Sequence, residues 1–178
     1  MHSESIKYGM SREYLPDWGT KEALREIFQG FKDYGDYKQE ITEDKAGLSS
    51  TLTLWNDYEP NNLEFLKIGK SFKRDDDSTV GEHGEGLKMA MMVLARKDYQ
   101  CTIKTKNYEL NGAFYQDDNL GECFCITKKN IQKVSGFWMK VIVPSVDLIT
   151  HQHKQLDKED VLYTNWSGDQ ILNKPTGD

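Results

Sequence analysis

The sequence is short of the features that would assign it to several broad classes. No apolar run approaches the roughly 20 residues that a membrane-spanning helix needs, so no membrane partner is expected. The opening Met1-His2-Ser3-Glu4-Ser5-Ile6-Lys7 shows no leader pattern of basic, apolar and small residues in order. There are only three cysteines, Cys101, Cys123 and Cys125. An odd count without a disulfide-framework spacing points to a reducing compartment, and the cytoplasm is the expected location. Cys123 and Cys125 alternate on an expected strand, so both thiols should share one face. With no further ligands close in sequence they read as two thiols rather than half a metal site. Positive charge is short as well: 23 Lys and Arg against 29 Asp and Glu leave a net charge of −6. That argues against a duplex-binding surface, and direct nucleic-acid contact is not expected, although a local basic patch is compatible with it. No internal repeat is present. What remains is a chain of 178 residues, 37% apolar and 29% charged, long enough for one polar domain with a real core.

Hydrophobic periodicity organises that domain. Leu24, Ile27, Phe28 and Phe31 fall at i, i+3, i+4 and i+7, so a helix is expected from about Thr20, as N-cap, to Asp33. Residues 50–55 alternate as a strand, paired with a second strand over 37–41. A short helix is expected over 62–68 and a second long helix over 86–97. Strands should follow near 99–105, 113–116, 122–127 and 136–143, with Asn111-Gly112 as one of the intervening turns and Pro144 ending the last. Short helices near 145–151 and 157–162 make 145–178 a helical tail. Helices at the ends with strands bunched between them give an α+β fold: a two-layer α/β sandwich with a mixed, mostly antiparallel sheet covered on one face by helices.

The segment Gly81-Glu82-His83-Gly84-Glu85-Gly86-Leu87-Lys88 runs straight into the apolar Met89-Ala90-Met91-Met92-Val93-Leu94. Three glycines let a backbone approach something closely, and the helix start that follows presents N–H groups and a positive dipole end. Such a turn is either an ordinary loop or an anion cradle of the kind that takes phosphate. His83 inside it either touches that anion or stands by. On the first helix, Glu26, Gly30 and Asp33 share the face opposite the apolar stripe. A solvated face explains the two acids, but not a glycine that costs the helix about 1 kcal/mol against alanine; a ligand or a packed neighbour would explain it. Asn56-Asp57 closes an alternating strand before Tyr58-Glu59-Pro60-Asn61-Asn62. It is either a strand-to-turn junction or a fixed carboxylate that accepts from a ligand amine. Residues 69–86 are polar and long for a connection, as a lid would be. His151-Gln152-His153 reads as solvated histidines, and Trp18, Trp55, Trp138 and Trp166 read as core or edge residues rather than a nucleic-acid stacking platform.

Taken in order over residues 18–144, these pieces resemble the Bergerat-fold ATPases, the family of DNA gyrase B, the large heat-shock chaperones, histidine kinases and MutL. Arg25-Glu26-Ile27-Phe28-Gln29-Gly30-Phe31-Lys32-Asp33 resembles the N-box of that family, and Asp57 matches the aspartate that reads the adenine amine. Ile68-Gly69-Lys70-Ser71-Phe72-Lys73 is similar to the start of the ATP lid, and Gly81 to Gly86 with Leu87-Lys88 to the second glycine box. Ser135-Gly136-Phe137-Trp138-Met139-Lys140-Val141 resembles the late strand behind the adenine pocket. The resemblance implies that ATP and Mg²⁺ bind here. Glu26 would be the general base, Asp57 the adenine reader, and Gly84, Glu85, Gly86, Leu87 and Lys88 the phosphate contacts, with Lys70, Ser71, Gly81 and His83 nearby.

The departures from that pattern shape the expected function. Gly30 stands where the family carries a metal-holding asparagine. Residues 57–61, Asp-Tyr-Glu-Pro-Asn, lack both glycines of the first glycine box, and Phe137 follows Gly136 where a threonine is usual. Nucleotide binding with slow Mg²⁺-dependent hydrolysis is therefore expected. Two alternatives stand beside it: an impaired nucleotide-binding module that binds or inhibits a partner protein, and an anti-sigma-like protein kinase.

Overall fold

The computed structural model describes residues 3–33, 36–67 and 85–147. Along the chain they form β1 (Ser3–Ser11), α1 (Thr20–Lys32), β2 (Lys38–Glu43), β3 (Ser49–Asn56), a 3₁₀ turn (Glu64–Leu66), α2 (Gly86–Arg96), β4 (Gln100–Asp117) and β5 (Gly121–Pro144). β5 is the spine of a five-stranded sheet, antiparallel at every pairing. β4 runs along one side of it. β1 and β3 lie along the other side, one on each half of β5, and β2 pairs outside β3. The fold is thus α+β, with the helices packed against β3 and β4 and against each other.

The period-2 pattern decides which side chains meet the helices. Leu52 and Leu54 of β3, Ile103 of β4 and Phe137, Met139, Val141 and Val143 of β5 are all buried, while Thr51, Thr53, Lys140 and Ile142 between them are not. α1 meets this layer through Leu24, Ile27, Phe28 and Phe31. α2 is buried over the whole run Met89–Leu94, because it lies between α1 and β4. A helix apolar on all sides is stable only in such a position. Each fully buried Leu, Ile, Met or Phe in these layers contributes roughly 1.5–3 kcal/mol.

Several expectations change. Thr20 is the first helical residue of α1, and the N-cap is Gly19. Glu22 reaches back so that its Oε1 accepts the Gly19 N–H at 2.7 Å, the reciprocal half of a capping box, while glycine has no side chain to supply the other half. β1 was not anticipated. The helix expected over 62–68 is a single 3₁₀ turn. The four expected later strands are two long ones, and Asn111-Gly112 lies inside β4 rather than at a turn. Asn111 accepts from Thr102 Oγ1 at 2.6 Å and donates to Glu109 Oε2 at 3.2 Å. Gly112 is needed for close approach, since a Cβ there would sit 3.1 Å from Met91 O of α2. The tail over 148–178, with the helix expected at 157–162, His151, His153 and Trp166, lies outside the described residues. Among the described residues no helix is long and apolar enough to cross a membrane.

Candidate functional site

α1 buries more than its apolar stripe, with Glu22, Arg25 and Gln29 also buried. Glu26 is therefore not on a solvated face; its side chain is only 17% exposed. The reason is α2, which packs beside the polar flank of α1. A Cβ built on Gly86 would overlap Glu26 Oε1 and lie 3.3 Å from Glu26 Cδ and 3.4 Å from its Cβ. Only glycine at the first residue of α2 leaves the Glu26 carboxylate where it is. On the other side of that carboxylate, Arg25 Nε approaches Oε2 at 3.4 Å, and the Arg25 guanidinium lies 5.8 Å from the Trp18 ring. α2 starts after Glu85, which makes no side-chain cap, and has no acidic residue in its first turn. Among the described residues, a carboxylate from one helix thus stands at the electropositive start of another.

The end of β3 forms a second part. Asn56 Oδ1 accepts the Tyr58 N–H at 3.1 Å, an Asx turn that fixes the backbone around exposed Asp57. Gly136 of β5 sits beside it with φ +80°, and a Cβ there would overlap Asn56 O and lie 3.5 Å from Asp57 Cα. Asp57 and Gly136, far apart in sequence, are therefore packed backbone to backbone. Thr105 of β4, which sequence reasoning did not single out, is buried and donates its hydroxyl to Gly136 O at 3.0 Å. Its one signal was a polar residue on the inward parity of an apolar strand. Phe137 points into the core, where its ring meets Phe31 at 5.8 Å and Phe65 at 5.9 Å.

The 3₁₀ turn joins the two parts. Lys88, in the first turn of α2, is 1% exposed, and its Nζ donates to Phe65 O at 2.7 Å. The Tyr8 hydroxyl of β1 donates to the next carbonyl, Leu66 O. Burial, and then the charge of Glu85, pushes the Tyr8 phenol pKa up, so it stays protonated and donating. The ammonium of Lys88 is thus turned inward onto the backbone that follows Asp57.

Of the remaining sequence candidates, Glu85 and Leu87 flank Gly86 at the start of α2. Lys70, Ser71, Gly81, His83 and Gly84, and the lid over 69–86 except its last two residues, lie outside the described residues. Nothing among the described residues comes within 4 Å of a Cβ built on Gly30, so close packing does not account for that glycine. Among the described residues no group of three or more His, Cys, Asp or Glu is placed to hold a metal ion. Cys101, Cys123 and Cys125 are free thiols and all buried.

No protein-family model matches the sequence, and no curated protein matches it. Among solved structures the chain is similar to the ATPase region of Saccharomyces cerevisiae topoisomerase II, with 12% identity and a TM-score of 0.38. The superposition covers 80% of this chain and 41% of that one, so the chain spans about two fifths of that structure's length.

Proposed function

We propose that this chain binds an adenine nucleotide between the start of α2 and the end of β3, and hydrolyses it slowly with Mg²⁺. The observation that carries this reading is the seating of the Glu26 carboxylate against Gly86 at the start of α2. The backbone N–H groups there suit a phosphate, and a carboxylate beside them is where a water attacking that phosphate would be oriented and deprotonated. Asp57, exposed on a backbone fixed by Asn56 and Gly136, is the acceptor for the adenine amine. The donor set accommodates Mg²⁺ sparingly: Glu26 is one carboxylate, and phosphate oxygens and water would complete the octahedron. Bound there, the ion would neutralise charge on the phosphates.

The test is calorimetry with ATP and ADP, with and without Mg²⁺, followed by phosphate release. Asp57→Ala should weaken binding by roughly 1–3 kcal/mol, about 5- to 150-fold. Glu26→Gln should keep binding and lose turnover. Unchanged affinity in the Asp57 variant, or unchanged turnover in the Glu26 variant, overturns the corresponding assignment. A second reading, a nucleotide-dependent binding module without turnover, is favoured by Gly30, whose missing side chain no described neighbour replaces. Such a module would take a protein partner, and tight nucleotide binding with no released phosphate would select it.

A further inference from the structure

We propose that the open face of the sheet, opposite the helices, is a binding surface for single-stranded nucleic acid. This proposal is independent of the nucleotide site. Trp55 and Trp138 oppose each other in the register of β3 and β5, the two inner strands at this end of the sheet. Their rings stack with centroids 5.0 Å apart and planes 6° from parallel, and both residues are half-buried. Trp138 Nε1 donates to Ser135 O at 2.7 Å, which fixes its orientation. The same row continues outward to a lysine on each flank: Lys104 of β4 opposes Trp138, and Lys38 of β2 opposes Trp55. One step along β5, Lys140 stands exposed between Thr53 and Thr102. The helices contact β3 and β4 from the side of the buried Leu52, Leu54 and Ile103, opposite these residues. On this side the far half of β4 covers only the flank, where buried Thr102 donates to Asn111 Oδ1 at 2.6 Å, and Lys38 and Lys140 remain exposed.

Aromatic rings on inner strands with cations on outer strands suit a ligand that offers flat π-faces and a negative backbone together. Single-stranded nucleic acid is that ligand, because every base presents a stacking face once it is out of a duplex. An acidic peptide supplies the charge without the regular π-faces. A duplex hides its bases and carries one negative charge per roughly 1.7 Å, which a chain of net charge −6 repels. The local charge is modest. Glu109 lies 3.8 Å from Lys104, and Glu40 shares the face in the same row as Lys140, one step from Lys38. Stacking therefore carries more of the binding than phosphate contacts do, and the salt dependence should be correspondingly shallow.

The experiment titrates the full chain, without nucleotide, with an oligothymidylate of about twelve residues, long enough for one site of this kind. Tryptophan fluorescence and the anisotropy of the labelled oligomer are followed together. Binding should quench the tryptophans, and raising salt from about 50 to 200 mM should weaken it roughly twentyfold, as about three phosphate contacts would. Lys38→Glu with Lys140→Glu changes two exposed side chains and should weaken binding at least tenfold without moving the melting temperature. Trp138→Leu should weaken it at least fivefold; should that variant not fold, the lysine pair decides. No binding by the natural chain, or equal binding by the lysine variant, overturns the proposal. Equal competition by polyglutamate also overturns it, and assigns the face to an acidic protein segment.

Discussion

The two long helices begin in opposite ways. α1 is finished by its own surroundings: Glu22 accepts the Gly19 N–H, and Thr20 Oγ1 donates at 3.1 Å to Asp147, which also accepts from the Tyr99 hydroxyl at 2.7 Å. Neither N-cap residue makes a side-chain cap, but α2, among the described residues, opens on a glycine held against a carboxylate from the neighbouring helix instead of on a back-reaching glutamate. Both helices are deeply buried and similar in length, at 13 and 11 residues, so packing does not explain the difference. A helix start costs stability when its N–H groups go unanswered. α1 shows that this chain can answer them from its own side chains. At α2 the described residues instead place a glycine against a carboxylate, and on the function proposed above that sets a start made for the fold against one shaped for a ligand. Changing each start in turn should then move different quantities.

The largest effect is expected from Gly86→Ala. The new methyl overlaps Glu26 Oε1 and displaces the carboxylate, which is the far end of a flexible side chain and can move cheaply. Stability should hold or rise by up to about 1 kcal/mol, since alanine is the better helix former. ATP affinity should fall roughly a hundredfold, about 3 kcal/mol, the worth of two charge-assisted hydrogen bonds from a backbone that phosphate can no longer approach. Calorimetry beside urea melts separates the two. Equal affinity for ATP in this variant would place the nucleotide elsewhere and remove the functional contrast between the two starts.

Next comes Lys88→Met. It deletes a buried ammonium hydrogen bond to Phe65 O while keeping most of the volume. A charged hydrogen bond of this kind is worth about 2 kcal/mol, so the urea midpoint should fall accordingly. Unchanged stability would mean that Lys88 is not what ties α2 to the 3₁₀ turn, and would return it to the phosphate role that the glycine-box resemblance implies.

These two residues also show what the sequence made legible. α1, α2 and the β2–β3 pair could be read because each carries an unbroken period of 3.6 or 2. The halves of β4 and β5 were separated because lysine and asparagine interrupt the apolar pattern where the strands bend. β4 and β5 shift register between Thr105 and Tyr108, with Lys106 at φ +54°. β1 carries only a weak signal, the alternation Ile6-Lys7-Tyr8-Gly9-Met10, in which a glycine and flanking polar residues blunt the period of 2. Glu26 and Gly86 were each picked out, but their contact was not, because it depends on how two helices pack. Lys88 was given to phosphate because sequence shows that a lysine follows a glycine turn, not which way its ammonium faces. Trp55 and Trp138 were legible as sheet residues, but their mutual stack was not, because it depends on the register of β3 against β5.

A smaller effect, confined to the other start, is expected from Glu22→Ala. Its loss leaves the Gly19 N–H without its acceptor and should cost about 1 kcal/mol of stability, the usual worth of a cap. ATP affinity should not change. Together with Gly86→Ala this gives a crossed pattern, stability without affinity at one helix start and affinity without stability at the other. Glu22→Ala weakening ATP binding as much as it weakens the fold would show that the two starts act as one unit.

The smallest effect on the fold, and the sharpest on chemistry, is expected from Gly30→Asn. The position lies one turn beyond Glu26 on α1, and nothing among the described residues stands within 4 Å of an added Cβ, so the side chain enters without conflict. Removing a helix-interior glycine should raise stability by several tenths of a kcal/mol, with or without nucleotide. An amide oxygen beside Glu26 would add a ligand for Mg²⁺, which prefers a complete octahedron of oxygens. Turnover should therefore rise, only with Mg²⁺ and only while Glu26 is intact; in the Glu26→Gln background the same change should stabilise the helix and do nothing else. Suppose instead that Gly30→Asn folds, binds ATP and releases phosphate no faster than background. The missing side chain is then not what limits the reaction, and the start of α2 holds a nucleotide for recognition by a partner rather than for hydrolysis.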